Sequence, residues 1–459
     1  MKVLLAGYNV DADILAELTR GSTRVDLTPE TISAAYARIS RDPRPVDELR
    51  TISRAEVEKA RRSNTKIVFD MGHSSVAEHA VFNFDIIDLS RLAMEELEKF
   101  RFASYTEKSQ RYQKLEDNYH LPEEFKGTDF EKPFVALVEK QNQTYKALLD
   151  RGIEPEDARY ATSLATNGQL GLTVNARTLE LMIRRFASSE LAEVRTLGKT
   201  LYELAAKVAP SLIRYTEATA YESLTARELR QYFAGRWERK RRVSQVCDLI
   251  DYSKDADLKL VGSLLHSTST ISFRNCRRIV KEMSKAEREE AVKKACRHLK
   301  LYHGVLREFE HVTLTFDLVM SAGCFAQMKR HRPATLTAQR YEPALGVTVP
   351  AKIKGGEFAE LIKETDALYN KLVKQFPAAA QYLLTGAHRR RVLLSLNARE
   401  LYHISRLRED AHAQWDIRDL SAAMTKLAKE AMPLTMLLIG GKDRFAEIHQ
   451  AVYGGGGGE

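Results

Sequence analysis

The sequence predicts an α+β protein built from two tandem domains, each a small mixed or antiparallel sheet packed with long helices. Three observations carry this expectation. The stretch Arg101-Phe102-Ala103-Ser104-Tyr105-Thr106-Glu107-Lys108-Ser109-Gln110-Arg111-Tyr112 returns as Arg330-His331-Arg332-Pro333-Ala334-Thr335-Leu336-Thr337-Ala338-Gln339-Arg340-Tyr341. A repeat distance of roughly 230 residues is too long for a solenoid and fits a duplicated domain. Segments of period-two apolar alternation stand beside segments of helical periodicity in the same order in both halves, which is the mixture an α+β domain shows.

The elements follow in order. Met1-Lys2-Val3-Leu4-Leu5-Ala6-Gly7 reads as a short buried strand, without the longer apolar run and cleavage site of a signal peptide. Glu78-His79 leads into Ala80-Val81-Phe82-Asn83-Phe84-Asp85-Ile86, where Phe82, Phe84 and Ile86 share one face. Glu310-His311 leads in the same way into a strand with Leu314, Phe316 and Leu318 on one face. Helical stretches at Ser90 to Phe100 and Gly323 to Lys329 run into the arginine-containing repeats. Leu121-Pro122-Glu123-Glu124 reads as a loop, and 133–150 and 357–375 as surface-packed helices with i, i+3, i+4 apolar spacing. Asn175-Ala176-Arg177 and Asn397-Ala398-Arg399 each sit in a long helix-like segment. The expected boundaries are copy one over 1–222, a basic linker over 223–244, copy two over 245–453 and a flexible tail over 454–459. The segment 254–300 is rich in Lys, Arg and Glu with helical spacing.

Bulk properties narrow the function. Hydrophobic content of 44% and charged content of 29% are ordinary for a soluble globular protein. No uninterrupted apolar run is long enough to span a membrane. Cys247, Cys276, Cys296 and Cys324 show no CxxC pairing, which argues against a disulfide framework or a zinc site and fits a reducing cytoplasm. No Gly-rich dinucleotide fingerprint is present. The net charge of +9 favours anionic ligands or a solvated basic surface. Its densest run, Arg236-Trp237-Glu238-Arg239-Lys240-Arg241-Arg242, reads either as a solvated linker helix or as an anion or nucleic-acid contact.

Taken together, these motifs resemble the flavin-dependent thymidylate synthases over most of the chain. Copy one matches the family at Gly72-His73, Ser75, Glu78-His79, Arg101, Ser104, Glu107, Ser109, Arg111, Tyr112, Arg159 and Asn175-Ala176-Arg177. It departs at Glu96, Lys99 and Phe100, where the family carries a glutamine and two basic residues. Its helix ending in Arg184-Arg185-Phe186 runs about one residue short, which leaves open whether Arg185 answers to the family's catalytic arginine. Copy two matches at Gln327, Arg330-His331-Arg332, Asn397-Ala398-Arg399, His403, Leu407-Arg408 and His412-Ala413-Gln414-Trp415-Asp416-Ile417-Arg418. Its loop after Arg332 is about two residues short, no residue matches the loop glutamate, Ala338 stands where the serine should be, and Gln381 replaces the arginine matched by Arg159.

The resemblance implies FAD as cofactor, with methylenetetrahydrofolate and NADPH as co-substrates and dUMP as substrate, in a homodimer whose four copies stand in for the family's tetramer. Arg408 is the implied catalytic residue. Glu107, Lys108, Ser109, Gln110, Arg111, Arg159, Gln327 and Arg330 are the implied dUMP ligands. His73, Ser75, Glu107, Arg330, His331, Arg332, Asn397, Arg399, His403 and His412 are the implied FAD ligands, and no metal is expected. The family draws each pocket from two subunits, and here each copy retains a different half of the set. That predicts one complete pocket per pair of copies. Plainer readings stand beside these: a structural Glu-His pair at each strand entry, a capping role for His73, a bracing role for Asn175 and Arg177, and a turn role for Ser109. The competing functions are modification of another uracil nucleotide by flavin and folate, and a non-catalytic nucleotide- or RNA-binding relic.

Overall fold

The computed structural model describes residues 1–19, 26–111, 115, 118–236 and 245–454. The expectations placed on Tyr112, on most of the basic run through Arg242 and on the glycine tail beyond Gly454 lie outside the described residues. The chain forms two compact units. Unit one joins 1–239 with 352–384, and unit two joins 240–351 with 385–459.

Each unit contains one four-stranded antiparallel sheet. In unit one, β1 (Lys2–Tyr8), β2 (Val81–Ser90), β3 (Ala103–Glu107) and β4 (Asn167–Asn175) lie in the order β1-β2-β4-β3. In unit two, β5 (Cys247–Tyr252), β6 (Thr313–Ser321), β7 (Thr335–Ala338) and β8 (Arg389–Asn397) repeat that order as β5-β6-β8-β7. Alternation decides the faces. Phe82, Phe84 and Ile86 are buried along β2, and Leu314, Phe316 and Leu318 along β6. Each such side chain contributes roughly 1.5–3 kcal/mol when taken out of water. The N-terminal strand differs from expectation. β1 is an edge strand whose residues alternate between exposed and half-buried, because it pairs on one side only.

Small polar caps end the strands and start the helices. Ser90 accepts from the Ala93 amide to open helix Arg91–Leu97, and Ser321 accepts from the Cys324 amide to open Ala322–Met328. Asn175 accepts from the Thr178 amide and Asn397 from the Glu400 amide, opening Ala176–Ala187 and Ala398–Arg408. Each cap satisfies an orphan donor and is worth about 1 kcal/mol. The Lys/Arg/Glu-rich segment forms helices Ala256–Ser267, Phe273–Glu282 and Lys285–Cys296, the last opened by a full capping box between Ser284 and Glu287.

Compaction cuts across the second repeat. Its long helix Gly356–Leu372 packs in unit one beside the corresponding helix Glu131–Asp150 of the first repeat. Gln141 donates to Thr365 and to the Leu383 carbonyl, both at 3.1 Å, and Lys140 pairs with Glu364. Among the described residues, no helix is long and apolar enough to cross a membrane.

Candidate functional site

The expected phosphate loop of unit one follows β3. Glu107, at the end of that strand, pairs with Arg91, the first residue of the capped helix, and both side chains are buried. Lys108 is exposed, and its amide donates to the Gln169 carbonyl at 2.9 Å. Ser109 Oγ accepts from the Arg111 amide at 3.2 Å, the turn role weighed for it from the sequence. Gln110 Nε2 is buried and makes no hydrogen bond among the described residues. Arg111 Nε donates to the Glu156 carboxylate at 2.9 Å, while Arg159, 7% exposed, donates Nε to the Glu156 carbonyl at 3.2 Å. Two guanidiniums separated by 48 residues therefore converge on Glu156, one on its carboxylate and the other on its backbone carbonyl.

The expected basic cluster of unit two follows helix Ala322–Met328. Arg330 is exposed, Arg332 is half-buried, and His331 between them is 4% exposed. Arg408 Nε donates to His331 Nε2 at 3.0 Å, and its Nη2 donates to the Gln327 carbonyl at 3.1 Å. On the other edge of the ring, His331 Nδ1 lies 3.3 Å from Glu400 Oε1. Burial, reinforced by the Arg408 charge, pushes His331 down to about 3, so the ring is neutral at physiological pH and its contact with Glu400 is not an ion pair. Burial also pushes Glu400 up to about 7, against the pull of His403 and Arg399. Gln327 is buried: its Nε2 donates to Gln414 Oε1 at 3.3 Å, and its Oε1 accepts nothing among the described residues. His403 is exposed and stands edge-on to His331, ring centroids 5.7 Å apart.

The remaining expected flavin ligands are placed as follows. His73 and Ser75 are exposed at the start of the turn of helix Ser74–His79, where the His73 amide donates to the Ile67 carbonyl. His412 is exposed, and its amide donates to Asp410 at 2.9 Å. Asn397 and Arg399 make in unit two the same cap and ion pair that Asn175 and Arg177 make in unit one. Arg399 pairs with Glu310 at 2.9 Å and Arg177 pairs with Glu78, so the recurring Glu-His and Asn-Ala-Arg motifs brace one another in both repeats. His79 packs edge-on against Tyr36 at 4.7 Å.

Sheet register corrects one correspondence. Glu107 faces Leu170 and Ala338 faces Val392, each the fourth residue of its strand. Ala338 therefore occupies the station of Glu107, not that of Ser109. The missing residues fall between Ala338 and Arg340, at the loop tip that Lys108, Ser109 and Gln110 form in unit one. Register also resolves the helix arginine. Counting from the capping asparagines, Arg408 answers to Phe186 and Glu400 to Thr178; counting from the capping serines, His331 answers to Phe100. Arg185 answers to Leu407 and lies over the Phe100 ring at 5.7 Å. Gln381, at the station of Arg159, donates to Tyr369 at 2.8 Å, and Glu96 pairs with Lys99 at 2.6 Å.

Glu400, Glu156 and Arg91 belong to the site's networks without standing in any motif of the sequence. The signal for Glu400 was its place directly after Asn-Ala-Arg, where copy one has Thr178; Arg91 against Ala322 offered a similar contrast. The thiols of Cys247 and Cys296 are pushed up to about 12 by burial, which leaves them poor nucleophiles.

The family described as Thymidylate synthase complementing protein matches the chain twice, over residues 24–211 and 248–434. A flavin-dependent thymidylate synthase of Saccharolobus solfataricus is 36% identical over 150 residues, covering 32% of this chain and 57% of that protein. This chain thus spans little more than half the length of that relative. One from Geobacter sulfurreducens is 32% identical over 195 residues, covering 40% of this chain and 81% of that protein. A UPF0159 protein of Chlamydia muridarum is 24% identical over 426 residues, covering 81% of this chain and 79% of that protein. Among solved structures, a UMP/dUMP methylase from Streptomyces cacaoi bound with 5-Br dUMP aligns with 49% of this chain and 94% of its own, at 19% identity and a TM-score of 0.36.

Proposed function

Because the chain belongs to the thymidylate synthase complementing protein family, in two tandem copies, we propose that it methylates dUMP to dTMP. The carbon would come from methylenetetrahydrofolate, and the hydride from FAD reduced by NADPH. The observation that carries this reading is complementary retention. Unit one keeps Glu107, Ser109, Arg111 and Arg159, while unit two keeps Gln327, Arg330 and Arg408, and neither keeps both sets. We take the ligand set of one pocket to be divided between the copies, in a homodimer.

The donor chemistry suits the ligands. Arg111 and Arg159, which already share Glu156 as acceptor, would hold the nucleotide monophosphate through charge-assisted bonds. Gln110 Nε2, a buried donor lacking an acceptor, suits an anionic or carbonyl oxygen. Gln327 Oε1, a buried acceptor lacking a donor, suits the ring N–H of a uracil or an isoalloxazine. Arg330 and Arg332 supply two guanidiniums for a dinucleotide diphosphate, with His73, Ser75, His403 and His412 offering further polar groups. When bound, FAD supplies hydride transfer, which no side chain can perform. Arg408 would favour negative charge developing on the pyrimidine, and the Gln327 carbonyl and His331 keep that guanidinium in place.

The test is direct. The purified chain, given dUMP, methylenetetrahydrofolate and NADPH, is expected to be yellow and to form dTMP. A colourless protein that takes up no FAD overturns the reading. A flavin-bound protein that turns over a different uracil nucleotide moves the substrate without moving the chemistry.

A further inference from the structure

We propose that Glu400 is a positioning residue, which fixes the catalytic arginine Arg408 through the ring of His331. For its catalytic readout this rests on the function proposed above. The geometry forms a chain of three side chains: Glu400 Oε1 to His331 Nδ1 at 3.3 Å, then His331 Nε2 to Arg408 Nε at 3.0 Å. A guanidinium can only donate, so His331 Nε2 must accept. A neutral imidazole that accepts at Nε2 carries its proton on Nδ1. Nδ1 and Glu400 Oε1 are both buried and face each other at 3.3 Å, but neither makes a hydrogen bond, to the other or to any other described group. Glu400 is thus the carboxyl placed to accept from Nδ1–H, and so to select the tautomer Arg408 requires, after a small closure of the 3.3 Å gap. With His331 held neutral by burial, the ring acts as a spacer that transmits orientation and not as a second charge beside the arginine.

The plain alternative is that Glu400 is an ordinary acid in the first turn of its helix. It stands three residues after the cap Asn397, the place of a capping-box glutamate. Ser284 and Glu287 close such a box elsewhere in the same unit, with both reciprocal bonds formed. Glu400 instead gives only its amide to Asn397 and directs its carboxyl to His331. The first repeat supplies an internal control. All three stations change together there, to Thr178, Phe100 and Phe186, and the two aromatic rings pack edge-on at 5.7 Å. An independent helix-capping acid would have no reason to vanish in step with the histidine and arginine. A linked network does, because a buried polar group left without its partner is costly.

Two experiments decide it. In 15N-histidine NMR of the ligand-free chain, wild type and Glu400→Gln should hold His331 as the Nδ1–H tautomer, while Glu400→Ala should give a mixture. In steady-state assays, Glu400→Ala should lower kcat about 10- to 100-fold while KM for dUMP moves less than about twofold. Glu400→Gln, which keeps the acceptor, should retain most of the rate. His331→Phe and His331→Phe/Glu400→Thr, which install the residues that already pack in the first repeat, should fold and be equally slow. An unchanged tautomer in Glu400→Ala, a kcat within about twofold of wild type, or additive losses in the double variant would overturn the proposal. Should the wild-type chain fail to convert dUMP, the functional reading falls, and the NMR result alone decides the Glu400–His331 link.

Discussion

After its capping serine, the first repeat places Arg91 and pairs it with Glu107 at the end of β3; the second repeat has Ala322 and Ala338 at those stations. Around the helix that follows the capping asparagine the situation reverses. The second repeat joins Glu400, His331 and Arg408, and the first has Thr178, Phe100 and Phe186. Two sheets of identical strand order thus keep opposite polar networks, each replaced in the other copy by small or aromatic side chains. The replacements come in sets. This is what the cost of burying unpaired polar groups demands: once a duplicated domain is free to lose one member of a network, the rest become liabilities. The bracing contacts tell the complementary story. The Glu78–Arg177 and Glu310–Arg399 pairs and the four helix caps survive in both copies because both sheets need them.

The comparison can be broken most severely by alanine at the retained arginines. Arg111→Ala and Arg408→Ala should each lower dTMP formation by about a hundredfold or more, whereas Arg340→Ala and Arg185→Ala should leave most of it. Equal damage at all four would mean that both copies carry working sites. A second effect concerns stability. Arg91→Ala alone removes the Arg91 guanidinium from the buried Glu107 carboxylate and should cost about 3 kcal/mol. Arg91→Ala/Glu107→Ala, which copies the second repeat, should cost less than the single change in a calorimetric double-mutant cycle.

Acid should distinguish the copies as well. His331 titrates in the folded chain at about 3 against an ordinary 6.5, so the stability it gives is present above pH 6.5 and is lost as pH falls toward 3. Glu400, raised to about 7, has the opposite sign: its contribution is complete below its ordinary 4.5 and is lost as pH rises through 7. His331→Phe should therefore flatten the acid limb of the melting-temperature profile, and Glu400→Gln the neutral limb. Profiles unaffected by either change would place these groups in solvent. The smallest effect should be shared. Asn175→Ala and Asn397→Ala should each cost about 1 kcal/mol, and a large difference between them would show that the Asn397 cap also serves a ligand.

Much of the fold was legible because its signals are local. Alternation at Phe82, Phe84 and Ile86 gave a strand, and helical spacing over 133–150 gave the long helix. The site was legible as two residue sets, but not as networks. The station of Ala338 depends on β7 register against β8, and a gap in the following loop cannot reveal it. Glu400 and His331 are separated by 69 residues and meet only through packing. The inclusion of 352–384 in unit one is likewise a tertiary choice, which rests on contacts such as Gln141 to Thr365 that no periodicity announces.

Titration calorimetry of dUMP into the flavin-loaded chain tests the asymmetry most directly. One nucleotide should bind per chain, with binding lost in Arg111→Ala and preserved in Arg340→Ala. Two nucleotides per chain, or equal losses in the two variants, would contradict it.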